Sequence, residues 1–213
     1  MQDLKKIILD VVNLESYSSS FGFIGYFERG GRYETGMAET AVACFIDMIK
    51  SEYREWMLVS ALHANDDEVG HFGDVKTDLR DLKQVEFLSA KNALRHFSYK
   101  ACFGTDYESH SYTESIKNAL TNFCVVSIDS LSSEVLEQLL VARMTVYGLR
   151  GHCFLISEQK GLILYPHDDT GFGVIAFGEK PRIDVAIEFL DRADRLDKFK
   201  AVKCNEFRQG RKA

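Results

Sequence analysis

The stretch Cys153 to Phe177, CFLISEQKGLILYPHDDTGFGVIAF, decides the fold. Apolar runs at Cys153–Ile156, Leu162–Tyr165 and Phe172–Phe177 are short, rich in branched and aromatic residues, and separated by polar, glycine-bearing breaks. Runs of that length bounded by turn residues read as strands buried on both faces. Three such strands joined by short turns form an antiparallel meander, because parallel neighbours need a long crossover. Within the second turn, Asp168 and Asp169 can bond the local backbone, and Gly171 can supply a positive φ.

Upstream of this meander, helical and extended patterns alternate. Leu4, Ile7, Ile8, Val11 and Val12 recur at helical spacing, which predicts an amphipathic helix over residues 2–14. Phe21 to Phe27 reads as a strand whose glycines permit a bulge or the close approach of another backbone. A helix is expected over residues 33–53, and Trp56 to Leu62 reads as a buried strand. His63 to Glu86 reads as a long exposed loop, with a helix over residues 79–94 overlapping its end. His96 to Phe103 alternates apolar and polar residues, which predicts a half-buried strand. A short helix near Ile116 to Leu120 and a strand over Phe123 to Ile128 follow. Ser130 or Ser132 can cap a helix carrying Leu131, Val135, Leu136, Leu139, Leu140 and Met144. A last helix is expected over residues 182–196.

The mixture of contiguous strands and alternating helices predicts an α+β domain over residues 1–197, with a largely antiparallel or mixed sheet and about five flanking helices. A parallel α/β sheet is the alternative. Residues 198–213 read as a basic, frayed tail.

Composition bounds the function. The chain has 213 residues and a net charge of −6. Lys198, Lys200, Lys203, Arg208, Arg211 and Lys212 stand against Glu206 alone in the tail, so the body is more acidic than the total suggests. An acidic body argues against nucleic acid, whose backbone is bound by clustered Lys and Arg, and suits a basic protein partner. No apolar run approaches the roughly 18 residues of a membrane span. Cys44, Cys102, Cys124, Cys153 and Cys204 are odd in number and widely spaced, which favours reduced thiols and a cytoplasmic location.

Candidate chemistry is sparse. His167, Asp168 and Asp169 place an imidazole beside two carboxylates, and with His152 they form a possible ligand site for a metal or small molecule. Adjacent aspartates in an extended segment point apart, however, and turn chemistry explains them without a ligand. Gly25, Gly30, Gly31 and Gly36, near Arg29 and Arg32, lack the lysine and hydroxyl of a phosphate-binding loop. Cys153 beside His152, and Cys102 near His110, lack zinc-ligand spacing. No cofactor and no metal are called for.

The segment LILYPHDDTGFGVIA resembles the hairpin of an uncharacterised bacterial domain family, in which strands flank a Tyr-Asp-Asp-Arg-Gly turn followed by an acidic residue and Val/Ile-Ile-Ala. Asp168, Asp169, Gly171, Ile175 and Ala176 match, as does the preceding helix, Leu131 to Met144, with its paired leucines. His167, Thr170 and Gly173 depart from the pattern. The resemblance covers about a quarter of the chain; it implies an α+β fold and a bacterial origin, and it brings no activity.

The expectation that follows is a binding protein rather than an enzyme. It would be a small acidic cytoplasmic domain that blocks a basic toxin of the nuclease type, as immunity proteins do. Asp66, Asp67, Glu68, Asp74, Asp78 and Asp81 would form the contact surface. An enzyme built on the His167, Asp168 and Asp169 loop is the alternative.

Overall fold

A computed structural model describes residues 4–69, 79–104 and 124–204. The elements are α1 (Leu4–Val11), β1 (Phe23–Arg29), α2 (Met37–Ile49), β2 (Met57–Ser60), β3 (His63–Asn65), α3 (Leu79–Ala90), β4 (Arg95–Phe97) and α4 (Tyr99–Phe103). They continue with β5 (Cys124–Ser127), α5 (Ser133–Thr145), β6 (Leu149–Arg150), β7 (Cys153–Ser157), β8 (Leu162–His167), β9 (Gly171–Ala176), α6 (Ile183–Asp194) and β10 (Phe199–Lys203). The architecture is α+β.

The main sheet has seven strands in the order β10-β1-β9-β8-β7-β2-β5, and every pairing in it is antiparallel. A parallel α/β sheet is thereby replaced; among the described residues the one parallel pair, β3 with β4, belongs to a small second sheet, β4-β3-β6. The meander predicted from Cys153 to Phe177 is β7-β8-β9, at the sheet's centre. The N-terminal strand β1 is inserted between β9 and β10.

Alternation along the strands sorts side chains into two cores, as the pleat requires. Leu58, Leu155, Leu164, Phe172 and Val174 face one way and pack with Phe45 of α2, Leu139 and Leu140 of α5, and Phe189 and Leu190 of α6. Their neighbours Val59, Phe154, Ile156, Ile163 and Ile175 face the other way, where Leu4 and Ile8 of α1 cover them. Central strands are thus apolar on both faces, which is why β7, β8 and β9 lack a polar alternation. Burial of this kind contributes ~25 cal/mol per Å² of apolar surface, and it is the main term holding the helices to the sheet.

Three expectations need correction. His63–Asn65 is a buried strand, not the start of an exposed loop. Residues 96–103 divide into β4 and α4, because Ser98 caps a helical turn by accepting a bond from the Ala101 backbone N–H at 3.0 Å. Residues 199–203 are the edge strand β10, so the domain does not end at residue 197. The expected short helix near residue 116 lies outside the described residues. Ser132 is the cap of α5, accepting from the Val135 N–H at 3.3 Å.

Candidate functional site

The β8–β9 hairpin pairs His167 with Gly171 across the turn Asp168–Thr170. The Thr170 N–H bonds the His167 carbonyl at 3.2 Å, and Thr170 itself takes the left-handed conformation at φ 60. The positive φ therefore falls on a buried, β-branched threonine rather than on Gly171, at a cost of about 1–2 kcal/mol. The strain is held from outside the hairpin: the Arg29 N–H bonds the Asp169 carbonyl at 3.0 Å, and the Arg29 guanidinium stands 3.6 Å from the Asp169 carboxylate.

His167 is committed to structure. Its ring crosses the neighbouring strand and donates from Nε2 to the Phe27 carbonyl at 3.0 Å. Gly171 makes the crossing possible, because a Cβ there would overlap the Phe27 carbonyl. Burial pushes the His167 pKa below the ordinary imidazole value, against the opposing pull of Asp169. A neutral imidazole donating one bond to a carbonyl is a tie between strands.

His152 lies apart from this turn. Its Nδ1 meets the Tyr17 hydroxyl, and the Tyr17 ring packs 4.4 Å from that of Tyr165, which is 6.3 Å from His167. Two tyrosine rings thus intervene between the imidazoles. His152 Nε2 is buried with no hydrogen-bond partner among the described residues, and burial pushes its pKa down to about 4. His152, His167, Asp168 and Asp169 therefore do not converge on one ligand. Among the described residues no group of three or more His, Cys, Asp or Glu side chains could hold a metal. Burial also pushes the Cys153 thiol up to about 12, so it carries no thiolate at neutral pH.

The acidic segment is partly spent inside the fold. Asp66 pairs with His96 Nδ1 at 2.5 Å. Asp67 accepts from the Ser98 hydroxyl at 3.1 Å and from the Lys100 N–H at 2.7 Å, closing the start of α4. Glu68 receives both Nε (2.9 Å) and Nη2 (2.5 Å) of Arg150 on one carboxylate oxygen. Asp74 and Asp78 lie outside the described residues. Asp81 belongs to α3, and its side chain is outside them as well.

A cleft of about 1020 Å³ runs along α5, bounded by the start of α2, by α3 and by the hairpin tip. Val141, Met144, Val146 and Leu149 are buried and give it an apolar floor. Its charged side chains divide by depth. Arg143 and Arg150 are half-buried, whereas Glu39, Glu134 and Asp168 are exposed at the rim with Arg29 and Lys83. Arg143 was not singled out by its sequence context, since it sits within an apolar helical stripe; an arginine between Leu140 and Met144 was the available signal.

No protein-family model, no curated protein and no solved structure matches the chain.

Proposed function

We propose that this chain is an acidic, cytoplasmic binding protein that covers a basic protein partner, with toxin-neutralising immunity proteins as the functional class it fits. The observation that supports this reading is the charge of the helical layer. Glu39 and Asp47 of α2, Glu134 and Glu137 of α5, and Asp184, Glu188 and Asp194 of α6 are all exposed. Within their spans the same three helices carry only Arg143 and Arg192 as basic side chains, both half-buried, while Lys50 and Arg182 at two of the helix ends pair with Asp47 and Asp184. Carboxylates turned outward from one face of the sheet present a negative potential that steers and orients a basic surface.

The partner-facing residues shift accordingly. Asp66, Asp67 and Glu68 have bonds of their own, and releasing them would cost the fold; Glu134, Glu137 and Glu188 make no ion pair with a described residue. The buried, unpaired thiols of Cys44 and Cys153 suit a reducing compartment. No helix among the described residues is long and apolar enough to cross a membrane.

The test is titration calorimetry against the basic proteins encoded beside the gene, at low and at physiological salt. A 1:1 complex that weakens with salt, and weakens at least tenfold in the Glu134→Lys, Glu137→Lys double variant, is the expected result. Absence of any complex at low salt, or an affinity indifferent to both the double variant and salt, removes the reading.

A further inference from the structure

We propose that the cleft along α5 is a binding site for a small organic anion, its charged head held at Arg143 and its apolar body laid on the floor formed by Val141, Met144 and Leu149. The cleft shares Glu39 and Glu134 at its rim with the acidic outer face, but Arg143 and the apolar floor do not depend on the partner proposed above.

Three observations carry the assignment. The first is the distribution of charge by depth. The charged groups set back into the cleft are arginines, and each carboxylate that lines it is exposed at the rim, where water screens it. An incoming anion therefore meets a rim of mixed sign, where Arg29 and Lys83 stand among the carboxylates, and only positive side chains farther in.

The second is the state of the two arginines. Arg150 is neutralised by Glu68, which is nearly buried. Arg143 has no carboxylate within ion-pair distance among the described residues, although it is half-buried. Its field reaches inward, disfavouring protonation of His152, just ahead of β7, and, as the smallest of several effects, of His167 on β8. A half-buried guanidinium without a counter-charge is costly, and a ligand carboxylate or phosphate that takes its fork-shaped donors removes the cost.

The third is shape and composition. The volume of about 1020 Å³ matches the upper range of small-molecule sites. An apolar floor with a few polar groups is the arrangement that holds an amphiphilic molecule in one orientation; besides Arg143 the cleft is lined by Gln138, whose Oε1 accepts from Gln84, and Thr145, whose hydroxyl donates to the Val141 carbonyl. Thr170 lines the same cleft, and its left-handed backbone is a local strain on the wall of a cavity rather than in an exposed turn.

The experiment uses the full chain and two fluorescent probes of similar aryl body: 8-anilinonaphthalene-1-sulfonate, which is anionic, and N-phenyl-1-naphthylamine, which is neutral. The expected result is saturable 1:1 binding of the sulfonate, displaced by inorganic pyrophosphate. It should weaken at least tenfold in Arg143→Gln and recover in part in Arg143→Lys, with neutral-probe binding within twofold throughout. Glu134→Gln at the rim should leave the sulfonate affinity the same or tighter. Sulfonate binding unchanged in a folded Arg143→Gln protein, or no saturable binding to the wild type, overturns the site. Should Arg143→Gln fail to fold, pyrophosphate displacement from the wild type decides: its absence overturns the proposal.

Discussion

The ring of Tyr165 on β8 lies across Gly173 on β9, occupying the space where a side chain would stand. A Cβ on Gly173 would overlap the Tyr165 ring carbons and hydroxyl, and Gly173 is also paired with Tyr26 of β1. The alternate glycines of the Gly-Phe-Gly run admit two different neighbours: Gly171 admits the Phe27 backbone of β1, to whose carbonyl His167 is bonded, and Gly173 admits the Tyr165 ring, while Phe172 between them points into the opposite core.

Gly173→Ala should therefore destabilise the domain by about 2 kcal/mol, because a well-packed ring must leave its rotamer. Urea unfolding followed by tyrosine fluorescence measures this. Gly31→Ala is the control, since nothing lies within 4 Å of its added Cβ. It should change stability by less than ~0.5 kcal/mol, as surface substitutions do.

Stability should fall as pH is lowered from about 6.5 to 4. His63, His152 and His167 all have folded-state pKa values below the ordinary 6.5, burial being the leading cause for each, and His152 reaches about 4. Below pH 6.5 the unfolded chain takes up these protons while the folded chain does not, so unfolding is favoured as pH drops. The stability that a neutral His152 provides is complete above 6.5 and lost as pH falls through about 4. It amounts to about 3 kcal/mol, at ~1.4 kcal/mol per pKa unit. Chemical denaturation at a series of pH values should show this slope, and His152→Phe should flatten it. An unchanged slope in that variant would contradict the buried, neutral state of the ring.

Asp67→Ala should cost about 1–2 kcal/mol, the loss expected when a capping carboxylate is removed from backbone and hydroxyl donors. Hydrogen exchange should localise the loss to α4. The same variant should bind a basic partner as the wild type does. A strong loss of binding without loss of stability would instead return the contact surface to the acidic segment.

Thiol chemistry gives a fourth check. Cys102 is exposed, whereas Cys44 and Cys153 are buried and burial raises both thiols above their usual range. Iodoacetamide at neutral pH should label Cys102 within minutes and leave Cys44 and Cys153 untouched until the protein is unfolded. Peptide mapping reads each position separately.

The meander was legible because each of its strands is apolar on both faces and bounded by turn residues, so no long-range information was needed. The segment after His96 was not. Its alternation is genuine, but the Asp67 carboxylate, just beyond the end of the neighbouring strand β3, captures the Ser98 hydroxyl and the Lys100 N–H, and the chain turns helical. The same carboxylates looked like free surface charge, because their partners His96, Ser98 and Arg150 lie far downstream. β10 hid behind the basic composition of the tail, since its alternation gains meaning only once β1 is known to lie beside it. The cleft was invisible for a related reason: α2, α3, α5 and the hairpin tip meet only in the folded chain.

The insertion of β1 between β9 and β10 has a consequence for synthesis. β1 is synthesised well before both strands it pairs with, β9 and β10, which lie far downstream of it in the sequence. Until those strands arrive, Ile24 and Phe27 have no sheet to join and the strand presents two open edges. Completion of the main sheet therefore waits for β10, with a high contact order and correspondingly slow closure. A nascent or truncated chain lacking Phe199–Lys203 leaves one of those edges open for association with other copies.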